Sequence, residues 1–129
     1  MAKTAILIDD DRDDLEFLQE AIKEVDKSLV CIPYVYCDEA IRDIATESKF
    51  IPNYIFIDIN MPKISGDECL RLLRKNPNFD KVTITMFSTS MPNNVSQVLK
   101  TSGADFTFEK PHRLEAYHTI LKRIFASSQ

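Results

Sequence analysis

The chain predicts an α/β fold, a doubly wound five-stranded parallel sheet with five helices. Three observations carry this expectation. Short β-branched or aromatic runs alternate with helical periodicities along the whole sequence. Two of those runs are apolar without a break, as strands covered on both faces must be. Acidic, hydroxyl and basic residues stand where the runs stop, and open α/β sheets bind ligands outside the carboxyl ends of their strands.

The elements follow in order. Residues 4–8 hold Ile6, Leu7 and Ile8, an apolar strand for the centre of a sheet. Leu15, Leu18, Ile22 and Val25 repeat at 3-4-3 spacing and share one helix face. Residues 29–36 form a second strand, and Pro33 places it at an edge because proline cannot donate to the ladder. Ala40, Ile41 and Ile44 mark a second helix. Residues 54–57 with Ile55, Phe56 and Ile57 are again central. Cys69, Leu70 and Leu73 give a third helix, residues 82–87 a fourth strand, and Val95, Val98 and Leu99 a fourth helix. Gly103 is suited to a left-handed cap after that helix. Residues 105–109 alternate polar and aromatic side chains and predict the other edge. Leu114, Tyr117, Leu121 and Ile124 form the last amphipathic helix. Pro92 and Pro111 are placed to open the fourth and fifth helices. Second and fifth strands at the edges give the flavodoxin-like order 2-1-3-4-5.

Composition narrows the function classes. The hydrophobic fraction is 44% and the charged fraction 28%, the balance of a water-soluble domain. No apolar run approaches the ~20 residues of a membrane span. Strand-like sequence begins directly after residue 3, which leaves no room for a signal peptide, so a cytoplasmic location is expected. A net charge of −4 with no dense run among the 16 Lys and Arg argues against nucleic acid as a partner. With only two glycines there is no glycine-rich phosphate loop. Cys31, Cys37 and Cys69 are odd in number and lack a C-x-x-C, and they read as reduced core thiols.

The strand ends supply the chemistry. The first ends in Asp9 and Asp10, the third in Asp58 and the fourth in Ser88, and Lys110 follows the fifth. Carboxylates ~4 Å apart repel by about 4 kcal/mol per pair at a surface-like effective dielectric. A divalent cation with hard oxygen ligands, Mg²⁺, would balance them, and Lys110 adds a fixed charge. The set suits a phosphoryl group, with an aspartate as nucleophile and Ser88 and Lys110 holding its oxygens. Acids before a helix are also ordinary N-caps, a competing account of Asp9, Asp10 and Asp11. Asp13, Asp14, Glu16 and Glu20 read as a solvated helix face. His112 and His118 lie on different faces of the last helix and read as surface residues. Met61, Met86 and Met91 read as packing residues.

Four segments resemble response-regulator receiver domains, and the resemblance spans essentially the whole chain. Residues 5–10 (AILIDD) are similar to that family's opening strand and acidic pair. Residues 54–62 (YIFIDINMP), with Gly66 beyond them, resemble its phosphoacceptor strand and loop. Ser88–Thr89 and Lys110–Pro111 resemble its hydroxyl and lysine-proline positions. The resemblance implies phosphorylation at Asp58, direct Mg²⁺ ligation by Asp10 and Asp58, a water-mediated contact from Asp9, and a backbone carbonyl ligand from Asn60. It implies that Ser88, Thr89 and Lys110 stabilise the phosphoryl group, that Asn60 and Ser90 tune dephosphorylation, and that the Lys110–Pro111 bond is cis. A single receiver domain over residues 1–129 with no output domain is expected. Its partners would be a sensor histidine kinase or histidine phosphotransfer protein and a downstream protein target.

One position departs from the pattern. Three residues before the lysine the family carries an aromatic switch residue, and here Thr107 stands between Phe106 and Phe108. Two other functions share parts of the site. A Mg²⁺-dependent phosphohydrolase would want an acid where Asn60 stands and a nucleophile on the first strand. A phosphorylation-independent scaffold would have no use for self-repelling acids.

Overall fold

The computed structural model describes residues 3–46 and 51–127. The expected start of the chain without a leader, and its last two residues, lie outside the described residues. The described elements are β1 (Thr4–Ile8), α1 (Arg12–Val25), β2 (Val30–Tyr34), α2 (Cys37–Thr46), β3 (Tyr54–Asp58) and α3 (Gly66–Arg74). A 3₁₀ turn at Pro77–Phe79 follows, then β4 (Thr83–Ser88), α4 (Asn93–Thr101), β5 (Phe106–Glu109) and α5 (Leu114–Ser127). The strands form one parallel sheet in the order β2-β1-β3-β4-β5. That is the flavodoxin-like order expected.

Alternation along the strands divides the core in two. Ile6, Ile8, Ile55, Ile57, Ile84 and Met86 face α2, α3 and α4, whose Ala40, Leu70, Leu73 and Leu99 cover them. Ala5, Leu7, Tyr54, Phe56, Phe87 and Phe108 face α1 and α5, packing on Leu18, Ile22, Tyr117 and Leu121. A central strand must therefore be apolar at every position, and β3 is buried throughout. Pro33 sits exposed on β2, the edge strand that can tolerate it.

Helix boundaries follow local chemistry. Asp11 caps α1, accepting from the N–H groups of Asp13 and Asp14 at 3.0 and 3.3 Å. Gly103, with φ 117°, ends α4, and the N–H groups of Gly103 and Ala104 return to the carbonyls of Lys100 and Leu99. Pro92 immediately precedes α4, as expected. Pro111 does not open a helix, because α5 starts only at Leu114.

The cysteine expectation needs correction. Cys37 and Cys69 are buried in the core as anticipated, but they are joined in a disulfide across 32 residues. Sequence spacing alone hid that the first turn of α2 and the middle of α3 lean on the same sheet face. Cys31 is free and half-buried on the edge strand.

Candidate functional site at the carboxyl ends of the strands

Beyond Ile8 the chain leaves β1, and the Asp9 N–H donates to the Tyr34 carbonyl at 3.0 Å. That anchors Asp9 in the interior, where it is fully buried. Its Oδ1 accepts from the Asp11 N–H at 3.0 Å. Capping of α1 falls to Asp11, so Asp9 and Asp10 are not consumed as helix caps. Asp10 stands exposed at the rim. Asp58 is the last residue of β3 and 4% exposed. The following turn is tight: the Ile59 N–H reaches the Phe87 carbonyl, and the Gly66 N–H reaches the Ile59 carbonyl. A Cβ at Gly66 would collide with the Asp58 carbonyl oxygen and come within 2.6 Å of Ile59 Cα, so only glycine fits.

Ser88 ends β4, and its buried hydroxyl accepts from Asn60 Nδ2 at 3.2 Å. The Lys110 N–H bonds to the Ser88 carbonyl at 2.8 Å, which fixes where the lysine leaves β5. Its side chain is 11% exposed and turns inward. Lys110 Nζ lies 2.7 Å from Asp14, 2.9 Å from Asp9 and 3.2 Å from Asp58.

Charge in this cleft is unbalanced. Burial raises the Asp58 carboxyl to about 7, the Asp9 charge adds to it, and Lys110 opposes both. Burial likewise pushes Asp9 upward. For Lys110 burial works against the charge, but the Asp14 hydrogen bond and the attraction of Asp9 and Asp58 outweigh it and raise the ammonium. Oxygens of Asp9, Asp10 and Asp58 lie within 4.8 Å of one another. Asp9 Oδ2 is buried and outside hydrogen-bonding geometry even to Lys110, whose nitrogen is only 2.9 Å away. An oxygen-only donor set with an unsatisfied carboxylate atom fits a hard divalent cation.

The sheet thus brings Asp9, Asp10, Asp58, Asn60, Ser88 and Lys110 to one place. Thr89 and Ser90 follow on the exposed loop. The Lys110–Pro111 bond is trans, and among the described residues no peptide is cis. This corrects the expected cis bond: trans is favoured by about 0.5–1 kcal/mol before proline, and Lys110 reaches the acids from it. Thr107 is half-buried on β5 and shares a 2.6 Å hydrogen bond with Ser96 of α4. His112 is exposed, and His118 meets Glu24 at 3.1 Å. Met86 is core, with Met61 and Met91 packed against it.

Two residues escaped the sequence reading. Asp14 is no bystander on a solvated face, because it makes the shortest contact to Lys110. The available signal was its place in the first turn of α1, at the same end of the sheet as the strand termini. Arg74, at the opposite end, gave no signal. It bonds to the carbonyls of Gly103, Phe79 and Val82 and to Asp105.

Comparison with known proteins agrees with this geometry. "Stress response regulator protein 1" of Scheffersomyces stipitis is 39% identical over 70 residues, 54% of this chain and 24% of that protein. The chain therefore matches about a quarter of that relative's length. "Response regulator Rcp1" of Synechocystis is 27% identical over 92 residues, 68% of this chain and 63% of that protein. The phosphorylated cyanobacterial phytochrome response regulator RcpA superposes with a TM-score of 0.83, covering 96% of this chain and 91% of that one. At 21% identity that likeness speaks for the fold alone. Residues 5–122 match the response regulator receiver domain, and the chain belongs to that family.

Proposed function

We propose that this receiver domain accepts a phosphoryl group on Asp58 from a phosphohistidine donor and signals through two-component phosphotransfer. The observation that carries the reading is the placement of buried Asp58 beside Lys110, inside a group of acids able to hold a metal. Family membership points the same way, since receiver domains are phosphoacceptors rather than enzymes of the ordinary kind.

In this reading an Asp58 carboxylate oxygen attacks phosphorus. A P–O bond forms, the P–N bond to the donor imidazole breaks, and its electron pair returns to the ring nitrogen. Asp58 must be ionised to attack, and Lys110 favours that form while burial opposes it. Lys110 and the Ser88 hydroxyl are positioned to hold phosphoryl oxygens. Because Asn60 donates to the Ser88 oxygen, the hydroxyl hydrogen is left free for that purpose. Asp9, Asp10 and Asp58, with the Asn60 carbonyl, would hold Mg²⁺, which supplies positive charge against the phosphoryl oxygens. Thr89 would add a contact at the rim, and Asn60 and Ser90 would govern access of hydrolytic water. A cytoplasmic location is part of the same reading. Among the described residues no helix is long and apolar enough to cross a membrane.

Readout would come through protein binding, with α4, β5 and α5 as the responding surface. Val98 of α4 is 63% exposed, and a groove of about 450 Å³ runs past Phe106, Thr107, Ile120 and Arg123. Treatment with a small phosphodonor and Mg²⁺ should place a base-labile phosphate on Asp58. The label should vanish in Asp58→Asn and on chelation of the metal. A wild-type protein that takes no label would overturn the proposal.

A further inference from the structure

Lys110 is shared among three carboxylates, and the residue that holds it most closely is none of the proposed metal ligands. Asp14 Oδ2 stands 2.7 Å from Nζ in hydrogen-bond geometry, against 3.2 Å for Asp58. Asp14 projects from the first turn of α1, and Asp11 fixes that turn by accepting the Asp14 N–H. The carboxylate is anchored through the helix and does not trail freely in solvent. Its side chain is 36% exposed, so it faces the buried ammonium from the solvent side.

An ammonium has three N–H donors. The Asp14 hydrogen bond takes one of them, and the Asp9 and Asp58 carboxylates crowd the ammonium at 2.9 and 3.2 Å, so an arriving phosphoryl group competes with partners already in place. Asp9 is committed to the interior, and Asp58 becomes the acyl phosphate itself. Asp14 is the contact that can be given up to water.

We propose that Asp14 is a positioning residue for phosphoryl transfer, holding the Lys110 ammonium on the α1 side of the cleft and so slowing its passage to the incoming phosphoryl oxygens. The inference rests on the phosphoacceptor reading above and deepens it. Asp14 restrains Lys110 in the resting protein and competes for it after phosphorylation. Its removal therefore accelerates acceptance of phosphate and prolongs the phosphorylated state.

The test compares Asp14→Asn with Asp13→Asn and Asp14→Glu in full-length protein, using acetyl phosphate and Mg²⁺. Asp13 is exposed on the same turn and is not one of the carboxylates around Lys110, so its variant controls for simple loss of charge. Asp14→Asn should raise the donor-saturated labelling rate and the lifetime of the label by roughly three- to tenfold, the range of one charge-assisted hydrogen bond partly exchanged for another. Acylation of the Lys110 amine, followed by mass spectrometry, should speed up in this variant alone. Asp14→Glu should restore behaviour close to wild type. Equal rates in wild type and Asp14→Asn, a slower variant, or the same gain from Asp13→Asn would overturn the inference while leaving the phosphoacceptor role standing. Wild-type protein that takes no label would remove both.

Discussion

Among the described residues a largely buried cation stands at each end of the sheet, and the two are satisfied in opposite ways. At the amino ends Arg74 donates to the carbonyls of Gly103, Phe79 and Val82 and to the Asp105 carboxylate. Its planar fork is matched by oxygens whose positions are set by the 3₁₀ turn, the approach to β4 and the segment between α4 and β5, and Asp105 also accepts the Ile84 N–H. At the carboxyl ends Lys110 faces Asp9, Asp14 and Asp58, with Asp10 at the rim. There one cation meets more negative charge than it can neutralise. The Arg74 site is closed and ties elements together; the Lys110 site is left short of positive charge, which makes it receptive to a metal ion. A buried charge can thus be structural or functional according to how its partners balance.

The sharpest way to break this comparison is to remove the closed cation. Arg74→Ala should cost about 3–5 kcal/mol of stability, because several carbonyls and a carboxylate lose their partner. The midpoint of urea unfolding measures it. Arg74→Lys should recover only part of the loss, since an ammonium cannot reproduce the fork. A variant as stable as wild type would refute the clamp.

The open site should respond with the other sign. Asp58→Asn should stabilise the metal-free protein at neutral pH by roughly 1–3 kcal/mol, what remains of the cost of burying the charge and of its repulsion by Asp9 after Lys110 offsets part of both. The folded Asp58 carboxyl is raised to about 7 from 3.8, so the folded chain holds this proton more tightly than the unfolded chain. Its contribution to stability is fully present below about pH 4 and is lost as pH rises through about 7. Denaturation across that window should show a larger loss in wild type than in Asp58→Asn, where only the raised Asp9 carboxyl remains. Added Mg²⁺ should flatten the wild-type curve.

The smallest effect concerns the link between the site's far edge and α4. Thr107→Val removes one side of the Ser96–Thr107 hydrogen bond and should cost about 1 kcal/mol. If the bond restrains α4, hydrogen exchange of that helix should quicken while labelling at Asp58 stays unchanged. Identical exchange in both proteins would show that Thr107 restrains nothing.

Much of this was legible in the residues. Pro33, the apolar runs of β1 and β3 and the alternating β5 placed each strand at centre or edge, because burial on one face or two dictates side-chain pattern directly. Asp9, Asp58, Ser88 and Lys110 were readable as one cluster once strand order was known. Asp14 and Arg74 were not, since a charge on an amphipathic helix looks the same whether it faces water or a buried partner. The Cys37–Cys69 pairing and the trans Lys110–Pro111 bond were likewise closed to sequence reasoning.

By itself the sequence determined the element order, the strand positions and the chemical types gathered at the carboxyl ends, because periodicity and proline geometry act locally. Only the tertiary structure decided how the charges are shared. Lys110 is separated from Asp14 by 96 residues, and its nearest partner depends on how α1 lies against β5 and α5. That packing is a property of the whole core, and it turns a lysine expected to serve Asp58 into one that Asp14 holds first.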